Sequence, residues 1–123
     1  MKHQVTWVEI PATDMTRAMQ FYQQILGFKF VREDVCSYDF AMICAEDKAI
    51  TGALVVGENY HPRDDGPVIY LNGGEDLAVP LAKIAELGNQ IIIPKTAIKE
   101  GANSYFAQFI DSEGNRIGLY SQQ

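Results

Sequence analysis

The chain uses one order of predicted elements twice, and this repeat limits the folds that are open to it. Residues 40–52, FAMICAEDKAITG, align without a gap with residues 106–118, FAQFIDSEGNRIG. The two predicted helices both end in Leu-Gly, at residues 26–27 and 87–88. Each half reads strand, helix and three strands, so the chain is expected to use one supersecondary unit twice.

The first half begins with a predicted strand over Val5–Ile10, which is rich in β-branched and aromatic residues. Pro11 closes this strand, and either Thr13 or Asp14 is expected to cap the next helix by accepting backbone N–H bonds. Apolar residues then recur at helical spacing as far as Gly27, whose tolerance of positive φ suits a helix C-cap. Three more strands are predicted at residues 28–33, 35–45 and 49–56, with a polar turn at 46–48.

The second half repeats this order after a polar connector. Residues 57–67, GENYHPRDDGP, contain two prolines and two glycines and are expected to join the halves. A helix is predicted from Glu75 to Gly88, with Pro80 tolerated in its first turn. The strands predicted around this helix lie at residues 68–72, 90–94, 105–110 and 116–121.

These elements predict an α+β fold of two βαβββ modules, with curved mixed sheets around a cavity and the helices outside. Residues 1–123 are expected to form a single domain, made of a module at 1–56, the connector at 57–67 and a module at 68–123. A four-stranded sheet with one helix buries only one of its faces well. The remaining faces of the two sheets are therefore expected to line a shared trough.

Strand parity assigns side chains to this trough, because alternate residues of a strand point to opposite faces. Val8 and Ile10 match the apolar face of the helix, which leaves Val5, Trp7 and Glu9 for the trough. The same rule places Gly52, Leu54, Val68, Tyr70, Asn72, Gly118 and Tyr120 there, and Tyr38 and Tyr105 are added as further ligand-binding candidates. Aromatic side chains with a few polar ends are typical of a small-molecule pocket, although the same rings also suit a packed core.

Composition excludes several classes of partner. The formal net charge is −6, and Lys and Arg occur singly, so no nucleic-acid partner is expected. The N-terminus lacks the apolar region of a signal peptide, and no apolar run reaches the roughly 18 residues of a membrane span.

Cys36 and Cys44 fit neither a disulfide framework nor a zinc pattern, and Cys44 is expected to be buried. His3 and His61 are expected in exposed segments. A cytoplasmic protein with reduced thiols is the simplest interpretation.

Two motifs resemble a known superfamily. FYQQILGF at residues 21–28, after a strand and a helix start led by Asp, and DSEGNRIGLY at residues 111–120 are similar to motifs of the vicinal oxygen chelate superfamily. This group contains glyoxalase I, bleomycin-resistance proteins and extradiol dioxygenases. The resemblance extends over nearly the whole chain and implies the βαβββ repeat and a homodimer formed by pairing modules. It is weak evidence for a particular reaction, because one scaffold supports many chemistries.

The resemblance also implies where a metal would bind. Metal-dependent members of the superfamily carry His, Glu or Gln at four positions, one early in the first strand and one on the last strand of each module. In this chain the positions fall near Val5, or Trp7 if the register shifts, and at Gly52, Val68 and Gly118. None of these side chains supplies the donor atom that a divalent ion needs. A divergent member without the usual metal site and without a cofactor is therefore expected, and a bound divalent metal is the alternative.

Three functions are compatible with these features. The leading hypothesis is a metal-free protein that binds a small, partly aromatic or apolar molecule. Trp7, Tyr70 and Tyr120 would pack on this ligand, and Glu9 and Asn72 would orient it by hydrogen bonds. The first alternative is a glyoxalase-like lyase or isomerase with Glu9 as its general base, and the second is a non-catalytic interaction subunit with a filled trough. Whether the protein is an enzyme is left open.

Overall fold

The chain follows the predicted order of elements in a computed structural model that describes residues 2–46, 51–101 and 103–123. The first module contains β1 (Trp7–Pro11), α1 (Met15–Leu26), β2 (Phe30–Val35), β3 (Tyr38–Ile43) and β4 (Thr51–Val56). The second contains β5 (Ile69–Asn72), α2 (Ala78–Glu86), β6 (Ile91–Ala97), β7 (Tyr105–Ile110) and β8 (Arg116–Ser121). Most of the turn predicted at 46–48, and the first two residues of the strand predicted at 49–56, lie outside the described residues.

Each module forms its own four-stranded mixed sheet. In the first sheet the strand order is β1-β4-β3-β2, with β1 parallel to β4 and the other neighbours antiparallel. The second sheet repeats this arrangement as β5-β8-β7-β6. A parallel pair needs a long crossover connection, which the helix and two antiparallel strands supply in each module. Two open, curled sheets with one helix each confirm the predicted α+β fold of two βαβββ modules.

The local sequence sets both ends of α1 as predicted. Asp14 is the N-cap, and its side chain accepts a hydrogen bond from the backbone N–H of Arg17 at 3.1 Å. Gly27 ends the helix with φ at 69°, and its N–H donates to the carbonyl of Gln23 at 2.9 Å. The buried face of α1 consists of Met15, Ala18, Phe21, Tyr22 and Ile25.

The second helix is shorter than the sequence predicts. It begins at Ala78, not at Glu75, and its N-cap Leu77 makes no capping bond with its side chain; the Asp76 side chain instead accepts a hydrogen bond from the Ala78 N–H at 2.9 Å and satisfies the first helical amide. Pro80 lies in the first turn, where its missing N–H costs little. Among the described residues, neither helix is long and apolar enough to cross a membrane.

One hydrophobic core joins the two modules. Both helices pack in it against one face of each sheet, and the rings of Phe21 and Phe109 lie 6.0 Å apart between α1 and β7. Its fully buried members include Ile10, Tyr22, Leu54, Ile84, Phe109 and Leu119. The opposite faces of the sheets carry exposed apolar side chains, among them Trp7, Val31, Tyr70 and Tyr120. The side facing away from the helices is therefore the side open to a ligand or a partner.

The turn between β7 and β8 is largely buried and forms hydrogen bonds with the first module and with the connector. The carboxylate of Asp111 accepts hydrogen bonds from the Tyr22 hydroxyl at 2.6 Å and from the backbone N–H of Asn115 at 2.9 Å. The Asn115 side chain donates to the carbonyl of Pro11 at 2.7 Å and accepts from the N–H of Arg63 at 3.2 Å. Burial raises the pKa of Tyr22 well above its usual value, and the charge of Asp111 adds to the effect.

Glu113 from the same turn holds the start of α1. Its Oε1 accepts hydrogen bonds from the backbone N–H groups of Thr13 and Asp14, both at 2.9 Å, and its Oε2 accepts one from Arg17 Nε at 2.7 Å. Because α1 has no acidic residue in its own first turn, this carboxylate supplies the negative charge that a helix N-terminus favours. Burial opposes ionisation of Glu113, but the hydrogen bonds from Arg17, Asp14 and Thr13 outweigh it and lower its pKa to about 2.

The pairing registers show that the ungapped alignment of the two halves is wrong by one residue in β4. Phe40 pairs with Val55, fifteen positions later, whereas Phe106 pairs with Tyr120, fourteen positions later. The first hairpin is therefore one residue longer than the second. A shift of one residue moves every side chain of a strand to the other face of its sheet.

Gly52 and Leu54 consequently face the helices and not the predicted trough. Leu54 is fully buried in the shared core, and a Cβ atom added at Gly52 would overlap the backbone oxygen of Val8. Ala53 and Val55 take the opposite face, where they belong to a separate small apolar cluster.

Two predictions about the cysteines are also wrong. Cys36 and Ser37, predicted within a strand, form the turn between β2 and β3, with φ at 50° and 71°. Two successive residues with positive φ make the turn that suits the twist of a hairpin. Cys44 is exposed because it lies just beyond the end of β3. His3 and His61 are exposed, as predicted.

Candidate functional site

Glu9 on β1 holds two aromatic side chains on the open face of the first sheet. Its Oε1 accepts a hydrogen bond of 2.6 Å from the Tyr60 hydroxyl, and its Oε2 accepts one of 3.1 Å from Trp7 Nε1. The hydrogen bond to Glu9 raises the pKa of Tyr60, and burial adds to this shift. Trp7 remains 37% exposed. The result is a carboxylate fixed between two rings whose apolar surfaces are available for contact.

Tyr60 reaches this face from the connector because of a close packing with Tyr38. Their rings meet edge-to-face with centroids 5.3 Å apart. A Cβ atom added at Gly57 would overlap the Tyr38 ring, so only glycine lets the ring lie against the chain there. The floor beneath the two rings is formed by Phe40, Met42, Ala53 and Val55.

The second sheet carries a polar and aromatic row across β5, β8 and β7. Tyr70 pairs with Gly118, and Gly118 pairs with Gln108 on its other side. A Cβ atom at Gly118 would lie 2.7 Å from Tyr70 Cγ, so the absence of a side chain lets the Tyr70 ring lie across β8. Gln108 Nε2 donates a hydrogen bond of 2.7 Å to the Tyr70 hydroxyl, and the Phe106 ring lies 6.4 Å from that of Tyr70.

An open groove of about 1460 Å³ continues from Tyr70 along this face. Its lining includes Tyr70, Asn72, Glu75, Ile98, Phe106 and Tyr120. The side-chain oxygen of Asn72 accepts a hydrogen bond from the N–H of Gly74 at 3.0 Å and so helps to shape the turn before α2. Aromatic walls with a few polar groups are typical of small-molecule sites.

The structure distributes the predicted site residues over two faces. The first sheet carries Trp7, Glu9 and Tyr38, and the second carries Tyr70, Asn72 and Tyr120. Within residues 2–46, 51–101 and 103–123 no side-chain hydrogen bond and no ring contact joins the two groups. The described part of one chain therefore presents two separate groups of candidate residues, one on each sheet.

Tyr105, the remaining predicted ligand-binding residue, has its side chain on the helix side of the second sheet and not on the open face. It packs against the shared core, and Lys95 Nζ lies 4.7 Å from the centre of its ring. Ala107 and Phe109, two and four positions further along β7, are fully buried in the same core. Strand parity alone could have excluded Tyr105.

Four residues of these faces were missed by the sequence reasoning, namely Tyr60, Phe106, Gln108 and Arg116. Phe106 and Gln108 alternate with core residues of β7, and Arg116 alternates with those of β8, so strand parity could have found all three. Tyr60 gives no local signal, because its partner Glu9 lies 51 positions away and the contact depends on the path of the connector.

The residues at the expected metal positions do not fit a divalent ion. Val5 precedes β1 and is exposed, Gly52 faces the core, and Gly118 is covered by the ring of Tyr70. Val68 offers only an aliphatic side chain. In the part of the chain that the structure describes, no three His, Cys, Asp or Glu side chains lie close enough together to hold a metal ion.

Comparisons with known proteins agree with this fold. Residues 4–44 match the family described as bleomycin resistance protein-like N-terminal. A comparison with curated proteins finds no match. Among solved structures, a glyoxalase I mutant from Zea mays aligns with a TM-score of 0.72 and 18% identity, over 97% of this chain and 45% of that chain. The chain thus spans less than half of the maize chain.

Two further structures align with nearly the whole of this chain. TnmS3, an antibiotic binding protein from Streptomyces sp. CB03234, has a TM-score of 0.67 and 21% identity, over 98% of this chain and 96% of that chain. A trypanothione-dependent glyoxalase I from Leishmania major has a TM-score of 0.70 and 20% identity, over 98% of this chain and 88% of that chain. The fold is that of the vicinal oxygen chelate superfamily, which confirms the resemblance seen in the sequence.

Proposed function

We propose that the protein binds a small, partly aromatic or apolar molecule without a metal, as a member of the glyoxalase and bleomycin-resistance type. The observation that carries this proposal is the arrangement of Trp7, Glu9 and Tyr60, in which exposed ring surface lies beside a carboxylate held by two hydrogen bonds. Exposed apolar surface next to oriented polar groups is typical of ligand sites. The antibiotic binding described for TnmS3 supports the same class of function.

A second copy of the chain would complete the site. Trp7 on the first sheet and Tyr70 and Tyr120 on the second are 37%, 46% and 38% exposed. A two-fold homodimer that sets the first sheet of each copy against the second sheet of the other would form two troughs, each lined by the first group of residues from one copy and the second group from the other. It would also bury these rings, which are large for an exposed surface. We therefore include a homodimer in the proposal.

The metal-free part of the proposal rests on donor chemistry. Val5, Gly52, Val68 and Gly118 carry no nitrogen or oxygen in their side chains, and a divalent ion needs such donors to replace its water ligands.

The cytoplasmic location included in the proposal is supported by Cys36 and Cys44, both unpaired and exposed.

Fluorescence of phenylnaphthylamine, a neutral aromatic probe, tests the assigned site. Trp7→Ala and Glu9→Ala are each expected to weaken probe binding about ten-fold or more, because stacking on one ring contributes roughly 1–3 kcal/mol and loss of Glu9 releases Trp7 and Tyr60. Glu86→Ala, on the exposed surface of α2, is the matched control and should bind as the wild type does. Unchanged affinity in both site variants would refute the assignment.

Light scattering of the purified protein tests the dimer, and a monomer at micromolar concentration would contradict it.

A lyase or isomerase of the glyoxalase-like class is the second candidate, favoured by the position of Glu9. A general base must lie within hydrogen-bond reach of the proton that it removes, and Glu9 is a carboxylate on the open face. Hydrogen–deuterium exchange next to the carbonyl of a small ketone, followed by NMR, tests this role. Exchange that is catalysed by the wild type and by Glu86→Gln but not by Glu9→Gln would support an enzyme. Equal exchange in all three proteins and in buffer would exclude this chemistry for the ketone tested.

A further inference from the structure

Arg116 stands out on the open face of the second sheet. It begins β8, where Ile117 and Leu119 point into the shared core, so Arg116 points to the same side as Gly118 and Tyr120. Its side chain is partly exposed. A positive charge is unusual on a largely aromatic face, and the chain as a whole has a formal charge of −6.

The guanidinium of Arg116 is poorly paired within the chain. Its Nη1 donates one long hydrogen bond of 3.4 Å to Gln108 Oε1, and its Nε is buried with no hydrogen-bond partner among the described residues. Across the described ranges, no carboxylate lies within 4.0 Å of Arg116, whereas Arg17 and Arg32 each form an ion pair, at 2.7 and 2.5 Å. The buried Nε itself is closed to a ligand, but the side chain is partly exposed and its Nη1 is only weakly bonded, so the outer nitrogens of the guanidinium are open to a partner from outside the chain.

A second donor points to the same side. Because Arg116 donates to Gln108 Oε1, the amide of Gln108 must donate through its Nε2, and this group bonds the Tyr70 oxygen at 2.7 Å. The Tyr70 oxygen therefore acts as the acceptor in this bond, and its own O–H remains a donor. Gln108 thus holds the Tyr70 hydroxyl by a short hydrogen bond and contacts the Arg116 guanidinium by a long one, so two donors lie on one face beside the ring of Phe106.

We propose that Arg116, Tyr70 and Gln108 form a subsite for an anionic group, a carboxylate, sulfonate or phosphate, carried by an aromatic ligand. The anion would accept from the guanidinium and from the Tyr70 hydroxyl, while the ligand's ring packs on Phe106 and Tyr120. Arginine suits this role because its planar donors match such oxygen groups and its charge is permanent. The inference rests on the proposed small-molecule function and adds the chemical class of the ligand.

Two fluorescent probes with the same aromatic body test the subsite. Anilinonaphthalenesulfonate carries a negative charge and phenylnaphthylamine does not. Arg116→Met is expected to weaken binding of the sulfonate about ten-fold or more, which is the range for loss of a hydrogen bond to a charged group, and to change binding of the neutral probe less than two-fold. Lys29→Met, which removes an exposed cation just before β2, is the matched charge control and should leave both affinities unchanged.

Two further variants separate a binding role from a structural one. Tyr70→Phe removes only the hydroxyl and should weaken the sulfonate several-fold, with little effect on the neutral probe. Arg116→Lys keeps the charge and should restore part of the lost sulfonate affinity. Circular dichroism and the thermal midpoint show whether each variant folds. If Arg116→Met does not fold, the Tyr70→Phe result and competition by benzenesulfonate against benzyl alcohol on the wild type decide the question.

Each outcome bears on a different claim. Selective loss of sulfonate binding in Arg116→Met supports the subsite. Equal loss of both probes, no loss of either, or a wild type that binds only the neutral probe overturns the subsite and leaves the proposed small-molecule function intact. A wild type that binds neither probe overturns both.

Discussion

The contact between Glu113 and the start of α1 makes a quantitative prediction for Glu113→Gln. The Glu113 side chain is 1% exposed, and the hydrogen bonds from Arg17, Asp14 and Thr13 lower its pKa from 4.5 to about 2. A shift of this size corresponds to about 3 kcal/mol of folding stability at neutral pH. Arg17 is 52% exposed, so solvent screening reduces this figure, and we expect a loss of about 2 kcal/mol. Glutamine keeps an acceptor for the backbone N–H groups, so the loss reports mainly on the charge.

Urea unfolding at pH 7 and pH 3 tests this reasoning. Because the folded-state pKa of Glu113 is depressed, its contribution is complete above about pH 4.5 and disappears as the pH falls towards 2. Less than half of it should remain at pH 3, so the difference between wild type and Glu113→Gln should shrink by more than half. The matched control is Asp39→Asn, which removes a more exposed ion pair with Arg32 and should cost less than about 1 kcal/mol. A Glu113→Gln loss no larger than this control, or one that is equal at both pH values, would refute the argument.

Three further predictions test other parts of the structure. Gly52→Ala should destabilise the protein by about 2–3 kcal/mol in urea unfolding, because its Cβ would overlap backbone. Gly118→Ala should cost less, about 1 kcal/mol, because the exposed Tyr70 ring can move away and loses only its hydrogen bond with Gln108. Equal costs for the two alanines would contradict the register described here. Tyr22→Phe should lose about 1.5–3 kcal/mol, since it removes the 2.6 Å hydrogen bond to the buried Asp111, and a loss below about 0.5 kcal/mol would argue against that bond. Mass spectrometry of the purified protein should find no stoichiometric divalent metal, and a chelator should leave phenylnaphthylamine binding unchanged; one bound ion per chain would disprove the metal-free proposal.

Much of the fold could be predicted because its signals are local. Asp14 at the start of α1 and Gly27 at its end act on groups a few residues away, so their roles are visible in the sequence. The alternation of Val8 and Ile10 with Trp7 and Glu9 depends only on the period of a strand, and the structure places these pairs on opposite faces as expected.

The wrong predictions concern features that depend on pairing between strands and not on the residues next to them in the sequence. The ungapped alignment of the halves placed Gly52 opposite Gly118, but the first hairpin is one residue longer, and the strand period turns that difference into an exchange of faces. Gly52 and Gly118 thus look equivalent in the sequence and do different things. On the core face, Gly52 lets the backbone of Val8 approach β4 closely. On the open face, Gly118 leaves space for the ring of Tyr70.

The sequence by itself determined the two βαβββ modules, the ends of α1 and the aromatic character of the open faces, because short-range capping and strand periodicity encode them. Only the tertiary structure decided which polar groups meet there. Tyr60 reaches Glu9 across 51 positions, and Glu113 reaches the start of α1 across about a hundred. Gln108 reaches Tyr70 across 38 positions. Such contacts depend on the three-dimensional path of the chain, which brings residues far apart in the sequence together, and a local pattern of residue types does not specify that path.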